Sequence, residues 1–233
     1  MRLRTGVIGV IAVFCVTSVA QAQRDLTASV NGGYTLYADG SALEPGLQVG
    51  GDFTWYVTPA LGIGAYTDYG FTEVDGTKFP PNQLGFCGAG GCTVGDSTTF
   101  SIINQPVELW QYGLQARLRL GQNRSFAPYL TVGVGGVTVF LDSQQNDANA
   151  NFTRFAARLG VGANLVVSES MGFQFSVQDA FFPSWRPEQL NPVREQFQNT
   201  RFPDLNPDPN ELDDSVHNFV FSAALTFTPT RSE

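Results

Sequence analysis

The chain has 233 residues, of which 15% are charged, and its formal net charge is −8. Because Asp and Glu outnumber Lys and Arg by 21 to 13, the charge balance excludes a surface built to bind nucleic acid. Average soluble domains carry about 25% charged residues. The low charge of this chain therefore predicts that much of its surface does not face water.

The first 22 residues have the order of a targeting segment. Arg2 and Arg4 precede the apolar run GVIGVIAVFCVTSVA, and the triplet AQA at positions 20–22 has a small residue at each end. This order of basic, apolar and small residues predicts a secretory signal peptide that is cleaved after Ala22, leaving residues 23–233 as one domain. A retained membrane anchor is the alternative, but the apolar run is short for a spanning helix.

The rest of the chain alternates between apolar and polar residues, beginning with LTASVNGGYTLY at residues 26–37. In an extended strand, Val30 and Tyr34 share one side and Ser29 and Asn31 share the other. The alternation returns at residues 47–57, 61–72, 107–120, 128–141, 152–167, 171–182 and 216–228. No segment has the sustained period of a long helix, so the pattern predicts eight strands. Asp179 falls on the apolar side of its strand, and the pattern offers no reason for it.

The links between the predicted strands alternate in length. Those after the second, fourth and sixth strands are short, whereas those after the other strands are longer and include residues 73–106 and 183–215. Outer-membrane barrels show this asymmetry, with short periplasmic turns and long extracellular loops. The sequence therefore predicts an all-β fold, an eight-stranded antiparallel up-and-down transmembrane β-barrel.

Aromatic residues indicate which strand face meets lipid. On the apolar faces, Trp55, Phe173 and Phe227 come near the short-turn end. Near the long-loop end the same faces carry Tyr69, Phe71, Trp110, Tyr112, Phe155 and Phe219. Two aromatic bands around an aliphatic belt are typical of a barrel that spans a bilayer. The alternative, a soluble periplasmic ligand carrier of the lipocalin type, would place its Leu, Val and Phe side chains inward.

The opposite faces carry small and polar residues together with four charged ones, Asp52, Asp68, Arg117 and Arg158. An eight-stranded barrel is just wide enough for side chains to fill it. An unpaired ion in such an interior costs several kcal/mol. We therefore predict that these residues form an Asp–Arg network that plugs the lumen, with a structural role in preference to an ion pathway.

The hairpin YVTPALGIGAY, the Gly-rich alternating strands and the final strand NFVFSAALTFTP resemble the small outer-membrane β-barrel proteins of the OmpA-domain, OmpX and OmpW type. Contact with lipopolysaccharide phosphates is a hypothesis from charge alone, with Arg154, Arg186, Arg194 and Arg201 as the candidate contacts. The resemblance implies a protein of the bacterial outer membrane that the barrel insertion machinery places in contact with outer-membrane lipid, and we predict a monomer. It implies a structural or surface-interaction role. The alternative is an OmpW-like narrow channel for small apolar solutes, which requires an apolar interior near the outer end and a lateral gap between strands.

A pair of cysteines lies in the longest predicted loop, residues 73–106. Cys87 and Cys92 flank a Gly-rich turn in FCGAGGC. In an exported chain this arrangement predicts a local disulfide. Metal binding is the competing interpretation, and it is disfavoured because the only histidine, His217, lies far along the chain.

The last long loop contains the acidic run DLNPDPNELDD. Oxygen-bearing side chains recur there at every second position, as in the first half of a calcium loop. They are Asp204, Asn206, Asp208 and Asn210. Calcium binding is one hypothesis for this run and a solvated acidic loop is the other. No other cofactor is expected.

His217 is the candidate for catalysis, since a hydrolase or acyltransferase needs a nucleophile beside a base. The residue that shares its strand face two positions on is Phe219, which has no hydroxyl. We therefore predict that His217 is a histidine at the barrel rim and that the protein is not an enzyme.

Overall fold

The computed structural model describes residues 26–75, 78, 82–85, 97–100, 106–121, 126–141, 151–190 and 214–229. The strands within these residues are β1 (Leu26–Leu36), β2 (Gly46–Tyr56), β3 (Leu61–Glu73), β4 (Asn82–Gly85), β5 (Ser97–Phe100), β6 (Pro106–Arg119), β7 (Phe126–Leu141), β8 (Phe152–Val166), β9 (Met171–Phe182) and β10 (Val216–Phe227). Short 3-10 helices occupy Asp39–Ser41 and Pro187–Leu190. In these segments no helix has the length and apolar character that crossing a membrane requires.

Eight of the strands close into one antiparallel barrel. Following the wall, the order is β1, β2, β3, β6, β7, β8, β9 and β10, and β10 pairs back with β1. β4 and β5 form a separate two-stranded hairpin in the link between β3 and β6. The predicted fold class, an eight-stranded up-and-down barrel, is confirmed.

The pairing register fixes the tilt of the strands. Stepping from Leu26 to its paired residue on each successive strand returns to β1 at Leu36, ten residues further along. With about 3.3 Å per residue and about 4.8 Å between strands, this offset tilts the strands by about 40° from the barrel axis. Residues from distant parts of the sequence are thereby brought to the same depth in the lumen.

Side chains alternate across the wall, and the apolar set lies outside. Val30 is 62% exposed and Val161 is 55% exposed, whereas Arg117 is only 2% exposed. Many further large apolar side chains face outward from all eight strands. Because hydrocarbon can solvate such a surface and water cannot, the predicted orientation, apolar side out and polar side in, is the one that suits a membrane barrel.

The two ends of the barrel are built differently. At the short-turn end, Thr58 Oγ1 accepts a hydrogen bond from Leu61 N at 2.9 Å, and Ser168 Oγ accepts one from Met171 N at 3.1 Å. At the long-loop end, the link after β1 folds back on the end of β3 through a bridge between Leu43 and Val74. Side-chain caps therefore stabilise the tight turns, and chain folded over the mouth closes the other end.

Candidate functional site

Four charged side chains meet inside the barrel. Arg117 on β6 places Nη2 3.0 Å from Asp52 Oδ1 on β2, and Arg158 on β8 places Nη1 2.9 Å from Asp68 Oδ2 on β3. All four side chains are more than nine-tenths buried. The structure thus brings the four predicted lumen residues together as two ion pairs.

Gln115 on β6 joins the two ion pairs into one network. Arg158 Nη2 donates to Gln115 Oε1 at 2.7 Å, and Gln115 Nε2 donates to Asp52 Oδ1 at 3.2 Å. A side-chain amide has one accepting and one donating end, so Gln115 serves a cation and an anion at once. Ser29, Asn31, Thr54 and Gln174 supply the remaining hydrogen bonds of the network. The name ion-pair network is used below for these nine residues: Asp52, Asp68, Arg117, Arg158, Gln115, Ser29, Asn31, Thr54 and Gln174.

Tyrosine rings cover the guanidinium groups of the lumen. The guanidinium carbons of Arg158, Arg119 and Arg117 lie 3.1, 3.4 and 4.6 Å from the ring centroids of Tyr66, Tyr56 and Tyr129, respectively. Such cation–π contacts strengthen when water is excluded. The rings also fill the space from the ion-pair network down to the short-turn end, because Tyr56 and Arg119 are the last residues of β2 and β6.

Towards the long-loop end the lumen becomes apolar. Buried aliphatic and aromatic side chains from the wall and from the links after β1 and β9 form one cluster, here called the outer core: Ala42, Leu43, Val74, Val107, Leu109, Val137, Val139, Ala156, Ala180, Phe182, Trp185, Leu190, Val216 and Val220. Small and polar residues were predicted throughout the lumen, and this apolar layer was not predicted. Apolar residues stand on both faces of the strand ends here, so alternation gives no signal.

Trp185 closes the outer core. It follows β9 where the chain turns back into the mouth, it is fully buried, and its Nε1 donates to Ser41 O at 2.9 Å. Its ring centroid lies 5.5 Å from that of Phe182 and 5.9 Å from that of Phe152. Tyr37 packs against the same cluster, and burial raises the pKa of its hydroxyl, which stays protonated at neutral pH.

Several predicted sites lie outside the described residues. They are the signal peptide at residues 1–22, the cysteines Cys87 and Cys92, and the acidic run with Asp204, Asn206, Asp208 and Asn210. The disulfide and the calcium site stay predictions. Within the described part of the chain, no group of three or more His, Cys, Asp and Glu side chains is arranged to hold a metal ion.

His217 lies on the outward face of β10, near the long-loop end. Its Nδ1 is 2.8 Å from Asp179 Oδ2 on β9, and its ring stacks on Phe181 with centroids 4.5 Å apart. The carboxylate that broke the alternation therefore has an imidazole partner on the neighbouring strand. The sequence signal for this pair was the position of Asp179 on the apolar side of its strand.

Comparisons with known proteins agree with this architecture. A family model for the outer membrane protein beta-barrel domain matches residues 8–227. No curated protein matches the chain. The solved structure of Neisserial surface protein A is 11% identical, with 88% of this chain and 97% of that chain covered and a TM-score of 0.50.

A second solved structure, OprG from Pseudomonas aeruginosa, is 12% identical, with 89% of this chain and 98% of that chain covered and a TM-score of 0.49. At such low identity, structural likeness concerns the fold alone. The family model, in contrast, spans nearly the whole sequence. The chain therefore belongs to the outer membrane protein beta-barrel domain family and is a protein of the bacterial outer membrane.

Proposed function

We propose that this protein is a sealed, non-enzymatic barrel with a structural or surface-interaction role in the outer membrane. The filled lumen carries the proposal. The outer core occupies the long-loop end with fully buried apolar side chains, and the ion-pair network occupies the middle. Any hydrated ion that crossed the barrel would have to displace both layers.

Each layer opposes ion passage for a different physical reason. The outer core offers no polar partner to replace the water around an ion, and stripping that water is costly. The ion-pair network already uses its charges on each other, with N–O distances of 3.0 and 2.9 Å. An ion entering it would have to break a buried pair, which costs about 3–5 kcal/mol. The two barriers act in series.

The remaining parts of the proposal concern export and neighbours. Residues 1–22 serve as the export signal, and the barrel is inserted as a monomer by the insertion machinery. The outward belt, with residues such as Val30 and Val161, contacts membrane lipid, and the rim contacts lipopolysaccharide. The apolar outward face supports the lipid contact, because exposing it to water would be unfavourable.

Electrical recording tests the seal. Purified protein inserted into a planar lipid bilayer should give no steady conductance, since both layers block the lumen. Trp185→Ala, which opens only the outer core, should still give none because the ion-pair network remains. Steady single-channel steps from the unsubstituted protein would contradict the proposal.

A narrow conduit for small apolar solutes is the second candidate. Two observations favour it: the outer end of the lumen is apolar, and pairing of β8 with β9 among the described residues starts only at Ala157 and Phe181. Residues Phe152–Ala156 of β8 therefore have no β9 partner beside the outer core. An apolar solute entering from the mouth would leave sideways there.

Solute uptake separates the two candidates. Vesicles that contain the protein take up a small apolar fluorescent solute at the same rate as empty vesicles if the barrel is sealed. The conduit predicts faster uptake by the unsubstituted protein. Trp185→Ala serves as the positive control, because removing this ring clears the route between the mouth and residues 152–156.

A further inference from the structure

The barrel wall is taller on one side than on the other. β3, β6, β7 and β8 have 13, 14, 16 and 15 residues, whereas β1 and β2 have 11 and β9 and β10 have 12. The strand ends are nearly level at the short turns, where Leu61 pairs with Leu118 and Met171 pairs with Phe227. The additional residues therefore extend the wall at the long-loop end. These upper parts of β3, β6, β7 and β8 are called the tall side below.

A carboxylate stands among aromatic rings on the outward face of the tall side. Glu108, two residues from the start of β6, pairs with Phe71 on β3 and with Phe140 on β7. The hydroxyl of Tyr69 donates to Glu108 Oε2. The ring centroid of Tyr69 lies 5.2 Å from that of Phe71 and 6.5 Å from that of Phe140. The name rim patch is used below for Tyr69, Phe71, Glu108 and Phe140.

The rim patch is open to a partner. Phe71 is 48% exposed, and the side chain of Glu108 is exposed too. An ionised carboxylate accepts hydrogen bonds at both oxygens, and Tyr69 uses only Oε2. Along β6, Glu108 lies outward of Trp110 and Tyr112, which belong to the outer aromatic band, so it stands at the membrane surface.

The lumen of the same barrel shows which group fits a tyrosine ring beside a carboxylate. The guanidinium carbon of Arg158 lies 3.1 Å from the ring centroid of Tyr66, and its Nη1 lies 2.9 Å from Asp68 Oδ2. Arg117 repeats the arrangement with another tyrosine and another aspartate. A planar guanidinium stacks on a ring with its face and bonds a carboxylate with its edge. Both contacts are made by one side chain.

The rim patch has the ring and the carboxylate, but the described part of the chain supplies no guanidinium to it. The ion pairs among the described residues do not include Glu108. The links that flank the patch, residues 74–105 and 142–151, contain four Asp, one Lys and no Arg. The single Lys78 is 3.5 Å from Asp39. The charge around the patch is therefore negative and attracts cations.

We propose that the rim patch binds an arginine side chain of a second polypeptide at the cell surface. The guanidinium face stacks on the aromatic rings, and its N–H groups donate to the carboxylate of Glu108. Arginine fits better than lysine, because an ammonium group has no flat face to stack while it bonds the carboxylate. This inference rests on the surface-interaction part of the proposed function and names the chemistry of the partner.

Peptide binding tests the site. The full chain is placed in lipid nanodiscs of phosphatidylcholine, which has no net charge, and fluorescence anisotropy measures the binding of labelled hexa-arginine and hexalysine at physiological salt. Hexa-arginine should bind about fivefold more tightly than hexalysine, since the two peptides differ in stacking and not in charge. Equal affinities would overturn the proposal, because they would indicate a general attraction to an acidic protein.

Substitutions act on the two halves of the rim patch. Glu108→Gln keeps the size of the side chain and an acceptor for Tyr69, and it should lower the affinity for hexa-arginine about tenfold through the loss of a charge-assisted contact. Tyr69→Leu removes one ring and should lower the affinity about threefold. Leucine suits an outward position of the wall, so this variant should fold.

Glu169→Gln is the matched control. Glu169 is an exposed carboxylate in the short turn before β9, at the opposite end of the barrel, and its substitution changes the net charge as Glu108→Gln does. It should leave the affinity unchanged. An equal loss of affinity in the two variants would overturn the proposal, because net charge alone would then explain the binding.

Two other occupants are outcomes of the same experiment. If the unsubstituted protein does not bind hexa-arginine but the double variant Arg194→Gln, Arg201→Gln does, the chain fills the rim patch with its own arginine. If phosphatidylethanolamine in the nanodiscs abolishes binding, the occupant is a lipid ammonium group. Either result would overturn the proposal. Neither result bears on the seal, which the conductance measurement tests separately.

Discussion

The outer core and the ion-pair network fill one lumen in opposite ways. In the outer core, many apolar side chains share contacts that have no required direction. In the ion-pair network, each guanidinium pairs with one carboxylate, and Gln115 accepts a hydrogen bond from Arg158 and donates to Asp52 and Thr54. The outer core should therefore tolerate substitutions that keep the total volume of its side chains, whereas the ion-pair network depends on each of its residues.

The two layers differ because different parts of the chain can fill the mouth and the middle of an eight-stranded barrel. Near the mouth, residues that link strands can fold inward, as Trp185 does, and fill gaps of irregular shape. At mid-height only wall residues are available, and long side chains such as Arg117 and Arg158 are needed to reach across. Four substitutions test the contrast, and the largest effect is expected in the network.

Asp52→Asn should lower the free energy of unfolding by about 3–5 kcal/mol, because it leaves the buried guanidinium of Arg117 without a compensating charge. Urea titration of protein folded in lipid vesicles measures this change. The double variant Asp52→Asn, Arg117→Met is the control and should recover most of the loss. A double variant less stable than the single one would show that the pair does not act as a unit.

Trp185→Ala should lower the free energy of unfolding by about 3 kcal/mol, because it empties a fully buried site of the outer core. Trp185→Phe removes the hydrogen bond to Ser41 O but keeps an aromatic ring that leaves a smaller gap, so it should cost less, about 1–2 kcal/mol. The same urea titration applies. Equal losses for the two variants would mean that the hydrogen bond, not packing, holds the mouth closed.

Gln115→Leu should lower the free energy of unfolding by about 2 kcal/mol, because Arg158 loses an acceptor and Asp52 loses a donor. Gln111→Leu is the matched control: Gln111 is a buried glutamine on the same strand and face, outside the network. It should change stability by less than about 1 kcal/mol. Similar losses at both positions would remove the special role of Gln115.

Alkaline pH should weaken the outer core through Tyr37. Burial raises the pKa of this hydroxyl above its ordinary value of 10.0, so its contribution to stability is complete below pH 10 and falls as pH rises above it. The loss is about 1.4 kcal/mol per pH unit. Unfolding measured at pH 9 and pH 11 should show a smaller decrease for Tyr37→Phe than for the unsubstituted protein. Equal decreases in stability would show that a group other than Tyr37 titrates in this pH range.

Most of the wall could be predicted from the sequence, because alternation is a local property. Val30, Ile63 and Val161 face outward as the pattern indicates. The four lumen charges could be named for the same reason. The pairing of each carboxylate with its guanidinium could not be predicted. That pairing depends on the offset of ten residues around the barrel, and alternation carries no information about register.

The outer core and the Asp179–His217 pair could not be predicted from the sequence for other reasons. Leu109 stands beside the outward Trp110, so both faces of β6 look apolar near its start, and the link residue Trp185 carries no strand pattern at all. Asp179 and His217 are 38 residues apart and meet diagonally across the ladder of β9 and β10. Only the completed sheet brings them within reach.

The wall closes between its first and last strands, through the pairs from Ala28 with Phe227 to Leu36 with Phe219. Until β10 is in place, β1 and β9 each present a row of unsatisfied peptide groups, which hydrocarbon cannot hydrogen-bond. Assembly in the bilayer is therefore all-or-none. A chain that stops before Val216 therefore cannot form a stable partial barrel, and its unpaired edge strands β1 and β9 can pair with other chains and aggregate.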